Sequence, residues 1–419
     1  MQWDRYEGDM SQTSETPSSN ARVGDVFIQF LKLGLTSFGG PVAHIGYFQH
    51  EFVERKAWLT ASEFASLLAL CQFLPGPASS QLGFAIGLRR AGLAGAIAAF
   101  VAFTLPSVFL LLVLLAVSPY LPDSLNQALL QGFKLLAVII VADALWSMGQ
   151  NLCDTWAKRL IAVGVTLLLL FSAVGPWPCL IVAGLLGLFA VNSPNPTTEV
   201  PSRVGQSPEQ SKPRSMLFAG VFFLLLLLLS VTPPVLGGEE GVPVLLTLAA
   251  ECYQAGALVF GGGHVVLPLL QSSLLEPGLV SEGEFLAAYG SAQIVPGPMF
   301  SIAAYLGAIA GPESFSIAGA AVALLAIFLP GFLLVLAVLP VWQTLLQQRK
   351  LAAAVAGVNA AVVGLLAASF YQPVLLSAIH SIVDLLVVVA GFYVLRVMKL
   401  PVIFLLPILL LIQGSALLF

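Results

Sequence analysis

One motif is written twice in a chain that is otherwise close to uninterrupted apolar sequence. Phe38-Gly39-Gly40-Pro41 is followed by Gln72-Phe73-Leu74-Pro75-Gly76-Pro77, and Phe260-Gly261-Gly262-Gly263 by Gln293-Ile294-Val295-Pro296-Gly297-Pro298. Clustered glycine and proline break a helix and leave backbone N–H and C=O groups without partners. Hydrocarbon cannot satisfy those groups, so such breaks survive at membrane depth only inside protein or beside a polar cavity. A duplicated pair of breaks is the pattern of a transporter whose binding site lies between two repeats.

The membrane setting follows from composition. Of 419 residues, 58% are hydrophobic and 9% charged, against about 25% charged in a soluble domain. The expected fold class is therefore an all-α polytopic membrane protein. No basic cluster exceeds three residues, which argues against a nucleic-acid partner. Cys71, Cys153, Cys179 and Cys252 are scattered and form no C-x-x-C pair, so neither a metal, a redox centre nor a cofactor is indicated.

The chain divides into a polar stretch 1–22, a first repeat 23–191, a Pro/Ser-rich linker 192–214, a connecting segment 215–242 and a second repeat 243–419. Residues 1–22 lack the layout of a secretory signal and read as a disordered cytoplasmic tail. Landmarks recur in order in the two halves: the glycine break, Pro-Gly-Pro, Pro106 and Pro330, Lys134 and Lys350, and Pro178 and Pro401. Apolar spans of roughly bilayer length are expected at 91–117, 128–150, 158–174 and 178–191, and at 315–339, 351–370, 378–395 and 401–418. The run Met216–Thr232 has no counterpart. Segments 23–53 and 62–88, and their matches, read as re-entrant hairpins of two short helices, with ordinary short spans as the alternative.

Lysine and arginine set the orientation, because cytoplasmic loops collect them. Arg55-Lys56, Arg89-Arg90 and Lys158-Arg159 mark inner loops of the first half, whereas no lysine or arginine occurs between Arg214 and Arg349. Matched spans then cross in opposite directions, the unmatched helix supplies the inverting crossing, and the N-terminus lies inside with the C-terminus outside.

The string from Leu33 through Phe38-Gly39-Gly40-Pro41 to His44, with Phe73-Leu74-Pro75-Gly76-Pro77, resembles the chromate ion transporter family in its long-chain, two-domain form. The second copy, Val259 to His264 with Val295-Pro296-Gly297-Pro298, looks like that family's C-terminal domain. Gly263 replaces the Pro41 of the first copy. The resemblance implies chromate efflux across a bacterial cytoplasmic (inner) membrane, chromate resistance, and a relation to the isosteric oxyanion sulfate.

Helix N-termini offer free N–H groups and the positive end of the helix dipole. Pro75, Gly76, Pro77, Ser79 and Ser80 in one copy, and Pro296, Gly297, Pro298 and Ser301 in the other, therefore suit a tetrahedral dianion held between facing half-helices. Gly39, Gly40, Gly261, Gly262 and Gly263 add backbone donors, and Gln72 and Gln293 add amides. His44 and His264 follow the breaks. The alternative, that these residues only permit close helix packing, stays open. Lys32, Asp143 and Glu251 lie within apolar runs and are the charge or coupling candidates, with snorkelling the other reading of Lys32. Glu63 and Glu284 instead fit capping boxes after Thr60 and Ser281.

The function expected is a secondary transporter moving chromate outward by alternating access, coupled to H+. Sulfate or another oxyanion is the alternative substrate, a passive anion channel is the alternative mode, and a homodimer stays open. No GxxxxGK[ST], HExxH or GxSxG motif points to an ATP pump or an enzyme.

Overall fold

The computed structural model describes residues 19–190, 208–236, 244–275, 278–312, 315–346, 348–400 and 402–416. Most of the expected tail and the centre of the expected linker lie outside these residues. Two expected boundaries move. Helix α1 begins at Ser19, so 19–22 are helical, and α8 begins at Pro208, inside the segment read as linker. Proline at a helix start loses only an N–H that would lack an intrahelical partner.

The first half consists of α1 (Ser19–Thr36), α2 (Gly40–Gln49), α3 (Ala61–Phe73), α4 (Ala78–Val117), α5 (Asp123–Leu152), α6 (Trp156–Phe171) and α7 (Pro176–Ala190). Helix α8 (Pro208–Leu236) follows, between the two halves in sequence. The second half runs through α9 (Val244–Leu258), α10 (Val266–Leu270), α11 (Glu282–Ala292), α12 (Ile302–Ala310), α13 (Ile317–Val338), α14 (Trp342–Leu346), α15 (Arg349–Ser369), α16 (Leu376–Ala378), α17 (Ile382–Arg396) and α18 (Leu405–Ala416). Each expected span coincides with a helix over most of its described residues, the one at 378–395 being interrupted at Ile379–Ser381, and no strand occurs among the described residues. Among the described residues, five helical stretches are long and apolar enough to cross a membrane, one of them in each of α4, α5, α8, α13 and α15.

Helix α4 departs from expectation. The half-helix starting at Ala78 and the span expected at 91–117 are one element interrupted by Ala91 (φ -145°, ψ 28°) and Gly92 (φ 65°, ψ -160°). A Cβ on Gly87 would strike the Gly95 carbonyl. Residues eight apart in a straight helix are about 12 Å apart, so the chain reverses at Gly92 and the two limbs lie side by side. In the second half Gly307 of α12 packs on Gly319 of α13 in the same manner.

The packing of the halves corresponds. Helix α1 lies on α4, and α9 on α13. Gly34 of α1 abuts the Phe103 carbonyl, while Gly256 of α9 abuts the Ile327 carbonyl. Across the halves, α5 packs on α17 and α18, and α15 packs on α6 and α7. Small residues permit these approaches: Gly187 of α7 meets Gly357 of α15 backbone to backbone. The expected capping boxes are present at Thr60/Glu63 and Ser281/Glu284. A third, Ser381/Asp384, opens α17. Asp384, an acid within an apolar run by sequence, is thereby a helix cap.

Candidate functional site

Both glycine breaks are built from left-handed backbone, with φ of 100° at Gly39, 73° at Gly40, 74° at Gly261 and 132° at Gly262. Side-chain-bearing residues rarely adopt these values. Gly76 (φ 126°) and Gly297 (φ 100°) make the corresponding turns within each Pro-Gly-Pro. All four breaks meet at one place. The Gly76 N–H donates to the Val259 carbonyl at 2.7 Å, and the Gly297 N–H donates to the Ser37 carbonyl at 3.0 Å. Ser37 and Val259 each stand two residues before the first glycine of their break, so the two bonds are the same bond made in both directions.

The exchange extends to the residues after Pro106 and Pro330. Gln81 Nε2 donates to the carbonyls of Pro75 (2.9 Å) and Gly331 (3.2 Å), and Ser301 Oγ lies 2.6 Å from Ser107 Oγ. A Cβ on Gly76 would lie 2.7 Å from Gln81 Nε2 and 3.1 Å from Gly331 Cα. One on Gly297 would lie 3.0 Å from Ser107 Oγ and 3.1 Å from the Phe103 carbonyl. At the centre, a Cβ on Gly263 would lie 2.8 Å from Pro41 Cγ. Positions 41 and 263 match in the two breaks, and they lie against one another. Two prolines would collide there, which accounts for glycine at 263.

The N–H groups of Gly76 and Gly297 are thus engaged with the opposite half. At α4 the Gln81 N–H makes the first intrahelical bond, to the Pro77 carbonyl at 2.9 Å. The Ala78, Ser79 and Ser80 N–H groups precede it and are left for another acceptor. His44 is buried between the two breaks of its own half, with Nε2 3.3 Å from the Ser37 carbonyl and Nδ1 3.5 Å from Ser79 Oγ. His264 is placed differently, with Nδ1 2.9 Å from the Tyr289 hydroxyl. Gln293 turns its amide onto Met299 Sδ at 2.9 Å, whereas Gln72 is exposed.

The charged candidates lie apart from this junction. Lys32 is on the exposed face of α1 beside Ile28 and Leu35. Asp143 pairs with Arg396 of α17 at 3.4 Å, and Arg396 also reaches Gln150. Glu251 is half-buried on α9. Asn359 stands at the same spacing from Lys350 as Asp143 from Lys134, and its Oδ1 would be 3.4 Å from a Cβ on Gly261. A separate cavity of about 540 Å³ is lined by Ser172, Gln271, Ser272, Glu282, Ser369 and Gln372, among others. Sequence reasoning passed over Ser37, Gln81 and Ser107. The signal was available in one respect: Gln81 and Ser107 are polar residues in apolar runs beside the landmark prolines.

These features define an all-helical polytopic membrane protein organised around paired helix breaks, the architecture of a transporter. The sequence description of the chromate transporter family matches residues 24–188 and 246–416, and the chain belongs to that family. It is 27% identical over 82% of its length to the chromate transport protein of Pseudomonas aeruginosa, covering 79% of that protein. It is 28% identical over 85% of its length to the chromate transport protein of Cupriavidus metallidurans, covering 82% of it. The uncharacterized transporter YwrA of Bacillus subtilis is similar at 28% identity over 149 residues, 34% of this chain but 82% of YwrA. No solved structure matches.

Proposed function

We propose that this protein is a secondary transporter that exports chromate across a bacterial inner membrane, conferring chromate resistance, from a site where the broken helices of two inverted repeats converge. The observation that carries the reading is the reciprocal pair of bonds, Gly76 N–H to Val259 and Gly297 N–H to Ser37. Contacts of i with j and of j with i are the mark of a two-fold relation. The inner-loop arginines of the first half, and their absence between Arg214 and Arg349, favour an axis lying in the membrane plane. The N-terminus is then inside and the C-terminus outside. The family match to both halves and the half-length relative support a duplication.

Two duplicates joined at their helix tips suit alternating access by rocking of one against the other. Helix tips with unengaged N–H groups suit a tetrahedral oxyanion, and the chromate transport proteins among the relatives point to chromate over sulfate. Coupling to H+ assigns proton-linked roles to Asp143 and Glu251. Protonation of Asp143 would release Arg396 and loosen the α5–α17 contact between halves.

Labelled chromate flux in everted vesicles, with and without the gene and with an imposed pH gradient, tests the reading. Vesicle accumulation unchanged by expression refutes chromate export, and flux indifferent to an opposing pH gradient refutes proton coupling.

A further inference from the structure

The two Pro-Gly-Pro tips correspond in backbone but not in chemistry. At the second tip the polar capacity is consumed or absent. Ser301 Oγ is bonded to Ser107, Gln293 is bonded to Met299, and Phe300 packs on Phe328 with ring centroids 5.7 Å apart. Val259 stands where the first half has Ser37. The second return helix also starts with a tighter turn: the Ser301 N–H already bonds the Pro298 carbonyl at 3.0 Å. Only the N–H groups of Met299 and Phe300, flanked by apolar side chains, precede it.

At the first tip the opposite holds. Ser37 is 0% and Ser80 4% exposed, and the hydroxyl of neither has a hydrogen-bond partner. An unpaired buried hydroxyl costs about 1–3 kcal/mol, so two at one junction call for an occupant. The His44 ring spans from the Ser37 carbonyl to the Ser79 hydroxyl, which sets residue 37 against the first turn of α4, where Ser80 also sits. The Ala78, Ser79 and Ser80 N–H groups open onto the same turn. Ser80 lacks a partner for a reason visible across the axis: Ser107, which engages Ser301, is matched in the second half by Gly331, which has no side chain.

We infer that the transporter has one oxyanion site, not a symmetric pair. Its donors are the Ser37 and Ser80 hydroxyls and the first-turn N–H groups of α4, while the second Pro-Gly-Pro is a closed strut. This rests on the proposed oxyanion transport and assigns the ligand to one side of the junction. The site is neutral, so a dianion is held by hydrogen bonds and the helix dipole, without a lysine or arginine.

Labelled chromate flux across a concentration series is the test, because the half-saturating concentration does not depend on how much folded protein reaches the membrane. Ser37→Ala and Ser80→Ala should each raise it about tenfold or more, as expected for loss of a hydrogen bond to a charged group. At the strut, Phe300→Leu should leave it within about twofold. Equal rises at both tips, or a rise confined to Phe300→Leu, overturn the single-site inference and leave oxyanion transport standing. A wild-type chain that moves no chromate overturns the transport reading and this inference with it.

Discussion

Gly263 offers the sharpest test of how the halves meet. A Cβ at this position would lie 2.8 Å from Pro41 Cγ and 3.2 Å from Met299 Cε. The methionine can rotate away, but the proline ring is rigid and begins α2. Gly263→Ala should therefore overpack the junction at a cost of about 1–3 kcal/mol. Because the closest approach is to a ring atom that alanine lacks, Pro41→Ala should remove most of the clash. The double variant should then recover about 1–2 kcal/mol relative to the sum of the single changes, a coupling typical of residues in direct contact. SDS-titrated unfolding in mixed micelles, followed by the fluorescence of the six tryptophans, reads all four states of the cycle. Additive effects, or a Gly263→Ala variant as stable as the parent, would mean that positions 41 and 263 do not meet.

Gly76→Leu and Gly297→Leu should each abolish chromate flux in protein that reaches the membrane, since each adds a side chain at positive φ against the opposite half; normal flux from either refutes a working junction. Thr60→Ala and Ser281→Ala should each destabilise by about 1 kcal/mol in the same unfolding titration, because each dissolves a capping box. Asp143→Asn should slow flux and flatten its dependence on an imposed pH gradient, an effect the partly exposed Arg396 pair alone would not produce. Cysteines introduced at Lys56 and Glu282 should react with a membrane-impermeant thiol reagent from opposite sides; labelling from one side refutes the inverted arrangement.

Much of the architecture was legible in the chain because membrane burial imposes simple rules. Long apolar runs had to become helices, since no other open structure satisfies its backbone in lipid. Thr60 and Glu63, at capping-box spacing, marked a helix start without reference to any other residue. The two copies of the break motif marked where helices stop, because glycine and proline act through local backbone geometry. The same rules misread α4, where the fold-back at Gly92 depends on Gly87 and Gly95 fitting against one another.

What depended on local covalent geometry could be read from the sequence alone: the helical membrane class, the four breaks and the caps. What depended on which groups come within 3 Å of one another was decided by the tertiary structure. Gly76 and Gln81 read as generic small and polar residues until the opposite half supplies Val259 and Gly331 as their acceptors. Asp143 read as a lone acid until Arg396 arrives from α17. The inequality of the two tips likewise follows from partners distant in sequence, since a hydroxyl is satisfied or left unpaired only by what folding places beside it.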